Sequence, residues 1–253
     1  MNRINRRFSI GLAVLLGLVL SGCATQDPMQ KYAHLSAEQT FDAGHTALHK
    51  TDYNEAAQAF QALNANYPFS QYSQQANLDL IYAEYQADHP ALALAESDRF
   101  LKLYPTSPNA VYAYYMIGVI NFENGRGFIQ RHFPYTMSDH DAQSYQTAFQ
   151  EFNIVVTQYP QSLYAPDARR RMIYLANTLS EFQLKTAQFY MARGAYLAAI
   201  HRANTVITQY PNTTSVKPAL QILIKAYGEL HLTSLQTETE RVYVLNGGAL
   251  SAS

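Results

Sequence analysis

The chain carries 18 Lys and Arg against 19 Asp and Glu over 253 residues, a formal net charge of −1. That balance leaves no basic surplus of the kind that binds a nucleic-acid backbone. A single cysteine excludes an internal disulfide, and 20 Tyr with 12 Phe and no Trp make an aromatic load that the fold has to use.

Residues 1–22 read as a signal peptide. Arg3, Arg6 and Arg7 form a basic start, and Phe8 to Leu20 is apolar but shorter than the roughly 20 residues that a membrane-spanning helix takes. Leu20-Ser21-Gly22-Cys23 closes the stretch. It resembles the lipobox of bacterial lipoproteins, which implies diacylglycerol on the Cys23 sulfur, cleavage before Cys23 and an acyl chain on the new N-terminus. Several acyl chains hold a protein on a membrane more firmly than one. Cys23 as an incidental residue beside a plain cleavage site stays open on the residues alone. By the same resemblance Ala24, where inner-membrane lipoproteins commonly carry Asp, implies the outer membrane and its periplasmic face. Residues 23–34 then read as a lipidated, flexible tether. No later segment is long and apolar enough to span a bilayer, so the body is expected to be soluble and tethered.

The dipeptide Tyr-Pro recurs at Tyr67-Pro68, Tyr104-Pro105, Tyr159-Pro160 and Tyr210-Pro211. An amphipathic stretch precedes each, in one phase: Tyr53, Ala56, Phe60 and Leu63; then Ala148, Phe152 and Val155; then Tyr196, Ala199, Ala203 and Val206. With Gly44 upstream, this is the Gly, Ala, Phe, Pro phasing of a tetratricopeptide (TPR) repeat of 34 residues. Small residues let paired helices approach, Phe60 fills the gap, and Pro68 stops the second helix because it has no N–H and its ring clashes with the preceding turn. Such pairs bury their apolar faces only by stacking. The fold predicted is all-α, a TPR-like helical-hairpin solenoid of about five repeats.

In chain order, 35–107 reads as an N-terminal TPR pair and 108–160 as a third TPR with an inserted loop. Gly125-Arg126-Gly127 and Phe133-Pro134-Tyr135 break that third unit within 123–140. Asp139-His140-Asp141 reads as a cap and turn before a helix over 141–158. The stretch 161–246 reads as a C-terminal TPR pair. It opens with a long helix from Pro166 to Ala192, started by proline and acidic Asp167, and ends with helices over 216–230 and 233–245. The small residues of 247–253 read as a frayed tail.

No metalloprotease, serine-hydrolase or phosphate-loop motif is present, and the chain is expected to be no enzyme. His45 and His49 share a helix face, with Asp42 as the one nearby third ligand; two partly exposed imidazoles are the plainer reading. No cofactor or metal is expected beyond the lipid. The aromatics carry the functional signal. TPR stacks present grooves, and Tyr or Phe there offers flat apolar contact with a polar tip, fit for an extended peptide. Gln74, Gln75 and Asn77 are placed to bond a peptide backbone.

The string Tyr67-Pro68-Phe69-Ser70-Gln71-Tyr72-Ser73-Gln74-Gln75 resembles the BamD family, lipoproteins of the Gram-negative β-barrel assembly machinery (BAM complex). The likeness continues at Leu78 to Ala83, Asp98-Arg99-Phe100, Tyr115 to Gly118, Ala165 to Ala168 and Arg193-Gly194-Ala195-Tyr196. It implies a non-catalytic scaffold for β-barrel insertion. The N-terminal half would grip the C-terminal strand of unfolded outer-membrane proteins through Tyr67, Phe69, Tyr72, Gln75, Tyr82 and Arg99, the arginine meeting a carboxylate. The C-terminal half would dock the last periplasmic domain of the barrel-forming subunit through Arg193 and Arg202, with other assembly lipoproteins as further partners. His140-Asp141 stands where relatives usually carry Arg-Asp. A different periplasmic TPR lipoprotein, such as a secretin pilotin or a cell-wall coordination factor, would share the lipobox and the phasing but lack the tyrosine-rich string.

Overall fold

The computed structural model describes residues 28–125 and 139–249. The signal, Cys23, the breakers Arg126-Gly127 and Phe133-Pro134-Tyr135, and residues 250–253 lie outside the described residues. Among the described residues the regular structure is eleven α-helices and no strand: α1 Pro28–Tyr32, α2 Ala37–His49, α3 Tyr53–Asn66, α4 Ser73–Gln86, α5 Pro90–Leu103, α6 Ala110–Gly125, α7 Asp139–Gln158, α8 Ala165–Ala192, α9 Tyr196–Gln209, α10 Val216–Glu229 and α11 Thr233–Leu245. The all-α, TPR-like class read from the sequence is the class observed. Asp139, His140 and Asp141 lie inside the first turn of α7 and not before it.

The chain forms two compact units, one ending at Ala76 and one beginning at Asn77. In the first, Ser36 caps α2: its hydroxyl accepts from Gln39 N at 3.2 Å while the Gln39 side chain accepts from Ser36 N at 2.9 Å. This reciprocal pair satisfies two otherwise orphaned donors. Asp52 caps α3 by accepting from Glu55 N at 3.2 Å. Along α3, Ala56, Phe60 and Leu63 are fully buried; side chains the size of Phe60 and Leu63 each contribute about 1.5–3 kcal/mol on burial.

The short α1 departs from the flexible tether expected over 23–34. Tyr32 is buried against Ala59 and Ala62 of α3, and the Tyr32 hydroxyl and Lys31 ammonium both donate to Glu55 Oε1. An amphipathic tyrosine followed by Leu35 gives this segment enough apolar surface to dock, although its composition resembles a linker.

In the second unit a core built from α6, α7 and α8, from Val111 and Phe122 through Tyr145, Phe152 and Val155 to Leu175 and Leu179, extends to Tyr210. It runs without a break across residue 160, as the shared core of stacked repeats does. A second cluster joins Ala187, Ala203, Val206, Leu220, Leu223 and Tyr243.

The four Tyr-Pro pairs all end helices. Tyr67, Tyr104 and Tyr210 cap α3, α5 and α9 with φ near −130° and ψ near +54°: (−133°, 54°), (−130°, 56°) and (−130°, 53°). A residue before proline is pushed out of the helical region in this way. A turn follows each: the N–H of Ser70, Ser107, Ser162 and Thr213 donates to the carbonyl of Tyr67, Tyr104, Tyr159 and Tyr210 at 3.1, 3.1, 3.0 and 3.3 Å. The repeated element is therefore Tyr-Pro-x-Ser/Thr, a proline at the second position of a β-turn.

The turns within hairpins are of another kind. Thr51, Asp88, Gly194 and His231 have φ of +58°, +62°, +69° and +55°. The next residue in each case donates back to the carbonyl five residues earlier: Asp52 to Ala47, His89 to Glu84, Ala195 to Tyr190 and Leu232 to Tyr227. This is the Schellman helix ending, in which a left-handed residue lets the chain reverse.

Residues 247–249, the described part of the tail expected to fray over 247–253, are instead held in place. Gly247 has φ +73°, Gly248 N donates to Tyr243 O at 2.9 Å, and Lys217 Nζ donates to Gly247 O at 2.6 Å. A Cβ on Gly248 would stand 2.3 Å from the Tyr243 ring, so glycine there lets residues 247–249 fold back onto α11.

Candidate functional site

Of the residues expected to grip a client strand, Tyr67, Phe69, Tyr72 and Gln75 belong to the first unit. Phe69 stands at the third position of the first Tyr-Pro-x-Ser turn and is 99% exposed. No described residue of the unit covers its ring. Gln75, in the first turn of α4, is also exposed. Tyr67 and Tyr72 are half-buried and build the unit: the Tyr67 hydroxyl donates to Leu35 O at 2.7 Å, and the Tyr72 ring stacks on Phe41 at 5.0 Å and 29°. Gln74 and Asn77 are partly and fully buried.

Tyr82 and Arg99 belong to the second unit. Tyr82 is 39% exposed. Arg99 is already engaged: its Nε donates to Glu96 at 2.7 Å and its Nη2 to Asn77 Oδ1 at 2.6 Å. A ligand carboxylate there would share the guanidinium with Glu96.

The two arginines expected at the partner-docking face sit on the α8–α9 hairpin. Arg193 caps α8, is exposed, and lies 3.5 Å over the ring of Phe189, itself half-exposed. An aromatic face under a cation holds it in place while leaving it open to solvent. Arg202 on α9 is half-buried and donates to Gln183 Oε1 of α8 at 3.1 Å. That is a neutral partner, so its positive charge is not cancelled by this bond.

His45 packs its ring against Phe41 at 4.4 Å and Phe60 at 5.7 Å, while His49 and Asp42 are exposed. Among the described residues no group of three His, Cys, Asp or Glu could hold a metal ion, and no helix is long and apolar enough to cross a membrane.

Sequence reasoning missed a polar network in the second unit. Asp167, in the first turn of α8, accepts from Tyr115 at 2.9 Å, Arg170 at 2.8 Å and Arg171 at 2.6 Å. Burial opposes ionisation of Asp167, but these three donors outweigh it and hold the carboxyl below its ordinary range. Arg171 also lies 4.9 Å over Phe122, and the Tyr115 ring stacks on Tyr164 at 4.8 Å. Burial and the bond to Asp167 push the Tyr115 phenol up to about 12; burial and a 2.9 Å bond to Glu123 do the same for Tyr85. The tyrosine load thus has a structural use: ring in the core, hydroxyl tied to a neighbouring helix. The pattern Asp-x-x-Arg-Arg at Asp167, Arg170 and Arg171, with helical spacing between acid and base, is the signal that could have marked it.

Paired helices and Tyr-Pro-ended repeats define a TPR-like all-helical protein. The outer membrane lipoprotein family YfiO matches residues 33–242. Among curated proteins, the outer membrane protein assembly factor BamD of Neisseria meningitidis serogroup B is 37% identical over 239 residues, covering 93% of this chain and 90% of that protein. BamD of Vibrio cholerae is 36% identical over 236 residues, 93% of this chain and 97% of its own length, and BamD of Haemophilus influenzae is 34% identical over 238 residues, 94% and 90%. The chain belongs to the BamD family of outer membrane lipoproteins.

Proposed function

We propose that this chain is a non-catalytic scaffold of outer-membrane protein assembly, held on the periplasmic face of the outer membrane by acyl chains on Cys23. It helps insert β-barrel proteins by docking the barrel-forming subunit of the assembly machinery and by contacting unfolded clients, with other assembly lipoproteins alongside. The observation that carries this reading is membership of the family over residues 33–242, with relatives named as assembly factors.

Client strands meet side chains on each unit: exposed Phe69 and Gln75 on the first, exposed Tyr82 and part-buried Arg99 on the second. Tyr67 and Tyr72 support the first of these surfaces from within. An extended strand with alternating apolar residues suits an unsupported phenyl ring beside an amide. The barrel subunit docks through Arg193 and Arg202. Among the described residues the hydrogen-bond partner of Arg202 is neutral Gln183, which leaves its charge for a partner carboxylate, and such a pair becomes strong where the interface excludes water.

The test is depletion of the protein in its own cell. Loss of many unrelated β-barrel proteins together from the outer membrane supports the assembly role. Loss of a single secretin, or of cell-wall organisation alone, overturns it.

A further inference from the structure

Residues 28–35 lie along α3 and give the first unit a direction. Lys31 and Tyr32 both bond Glu55, in the first turn of α3. Leu35 meets the opposite end, where its carbonyl accepts from the Tyr67 hydroxyl at 2.7 Å. At 1.5 Å per residue, Glu55 and Tyr67 stand about 18 Å apart along the helix. The chain therefore arrives beside the α2–α3 turn, Lys50-Thr51-Asp52, and runs toward the Tyr67 end before α2 begins.

From Cys23 to Pro28 the backbone reaches at most about 18 Å even when fully extended. Released from α3, the tether would extend to Ser36 and reach more than twice as far. We propose that residues 28–35 are a strap that holds the α2–α3 turn of the first unit toward the lipid surface and the Tyr67–Tyr72 loop, with exposed Phe69, away from it. The inference rests on the lipid anchor at Cys23 proposed above. Charge does not set this direction: Lys31 and Lys50 at the membrane end are offset by Asp52 and Glu55, and orientation by anionic headgroups needs a basic surplus. The docked tyrosine sets it. The consequence is that the apolar loop most open to a client faces the periplasmic space from which clients arrive.

The test uses the full-length lipidated protein in vesicles of phosphatidylethanolamine and phosphatidylglycerol carrying a headgroup quencher. The mature chain has no thiol besides Cys23, so Asn54→Cys and Gln71→Cys each give one dye site, at the two ends of α3. Several-fold stronger quenching at position 54 than at position 71 is expected. The difference should vanish when Tyr32→Ala and Glu55→Gln release the strap. It should also vanish when a flexible Gly-Ser spacer is placed between Asp27 and Pro28, a change that leaves every packed residue in place. Equal quenching with the native strap overturns the proposal, as does a difference that survives the spacer. Protein that fails to float with the vesicles overturns the lipid anchor and the strap with it; protein that floats but shows equal quenching overturns the strap alone.

Discussion

A Cβ on Gly44 would stand 2.4 Å from Cε1 of Phe60, and Phe60 is fully buried. The glycine of α2 exists to admit that ring. Gly118 and Phe152 repeat the relation at 2.6 Å in the second unit. Gly44→Ala gains up to about 1 kcal/mol of helix propensity but forces a buried ring to move, at about 1–3 kcal/mol. A net loss of stability is expected, seen as a lower urea midpoint. Gly228→Ala is the contrast: its Cβ would meet only the end of Gln236, at 3.4 Å, so the propensity gain should stand and the midpoint should rise.

Thr51 holds φ +58°, a conformation that costs a side-chain-bearing residue about 1–2 kcal/mol and glycine little. Thr51→Gly is expected to stabilise by about 1 kcal/mol, and Asp88→Gly by less, because a short polar side chain tolerates this region better. Gly194→Ala should destabilise even though nothing lies within 4 Å of its Cβ. Thermal melts of the three variants check the order.

Asp167 and Glu151 should move the acid limb in opposite directions. The folded-state value of Asp167 is held below the ordinary 3.8, so its stabilisation is complete above that pH and is lost as pH falls through the lower folded value. Asp167→Asn is expected to lower stability at pH 7 and to flatten the decline below pH about 4. Glu151 is raised by burial and by the charge of Asp98, and its Oε2 is buried without a hydrogen-bond partner. Ionised Glu151 therefore weakens the fold, and the penalty is relieved as it takes up a proton. Glu151→Gln should raise the melting temperature at pH 7 and lose that advantage on acidification.

Phe69 and Tyr72 should separate binding from folding. Phe69→Ala removes a fully exposed ring, so peptide binding should weaken while the melt stays put. Tyr72→Ala removes the stack on Phe41 and should lower the melting temperature as well. Fluorescence titration with a synthetic C-terminal strand peptide, beside a melt of each variant, checks this.

Proline made the helix ends legible in the sequence, since it constrains both itself and the tyrosine before it. The buried positions Ala56, Phe60, Ala148, Phe152, Ala199 and Ala203 were legible because helical period and small-residue spacing are local properties. The strap was not: Lys31 and Tyr32 look like tether until Glu55, far along the chain, supplies their partner. Nor was the engagement of Arg99 by Glu96 and Asn77, because a cation near an aromatic string reads the same whether it is free or paired. The left-handed Thr51, Asp88 and His231 carry no glycine to announce them.

The docking claim is tested most directly by a tagged pull-down from solubilised outer membranes, comparing the native chain with Arg202→Glu at matched thermal stability. A large β-barrel protein with periplasmic repeat domains should co-purify with the native chain and be lost, or strongly reduced, with the variant. Unchanged recovery would contradict docking through Arg202. Recovery of only a secretin or of cell-wall enzymes with the native chain would contradict the assembly role itself.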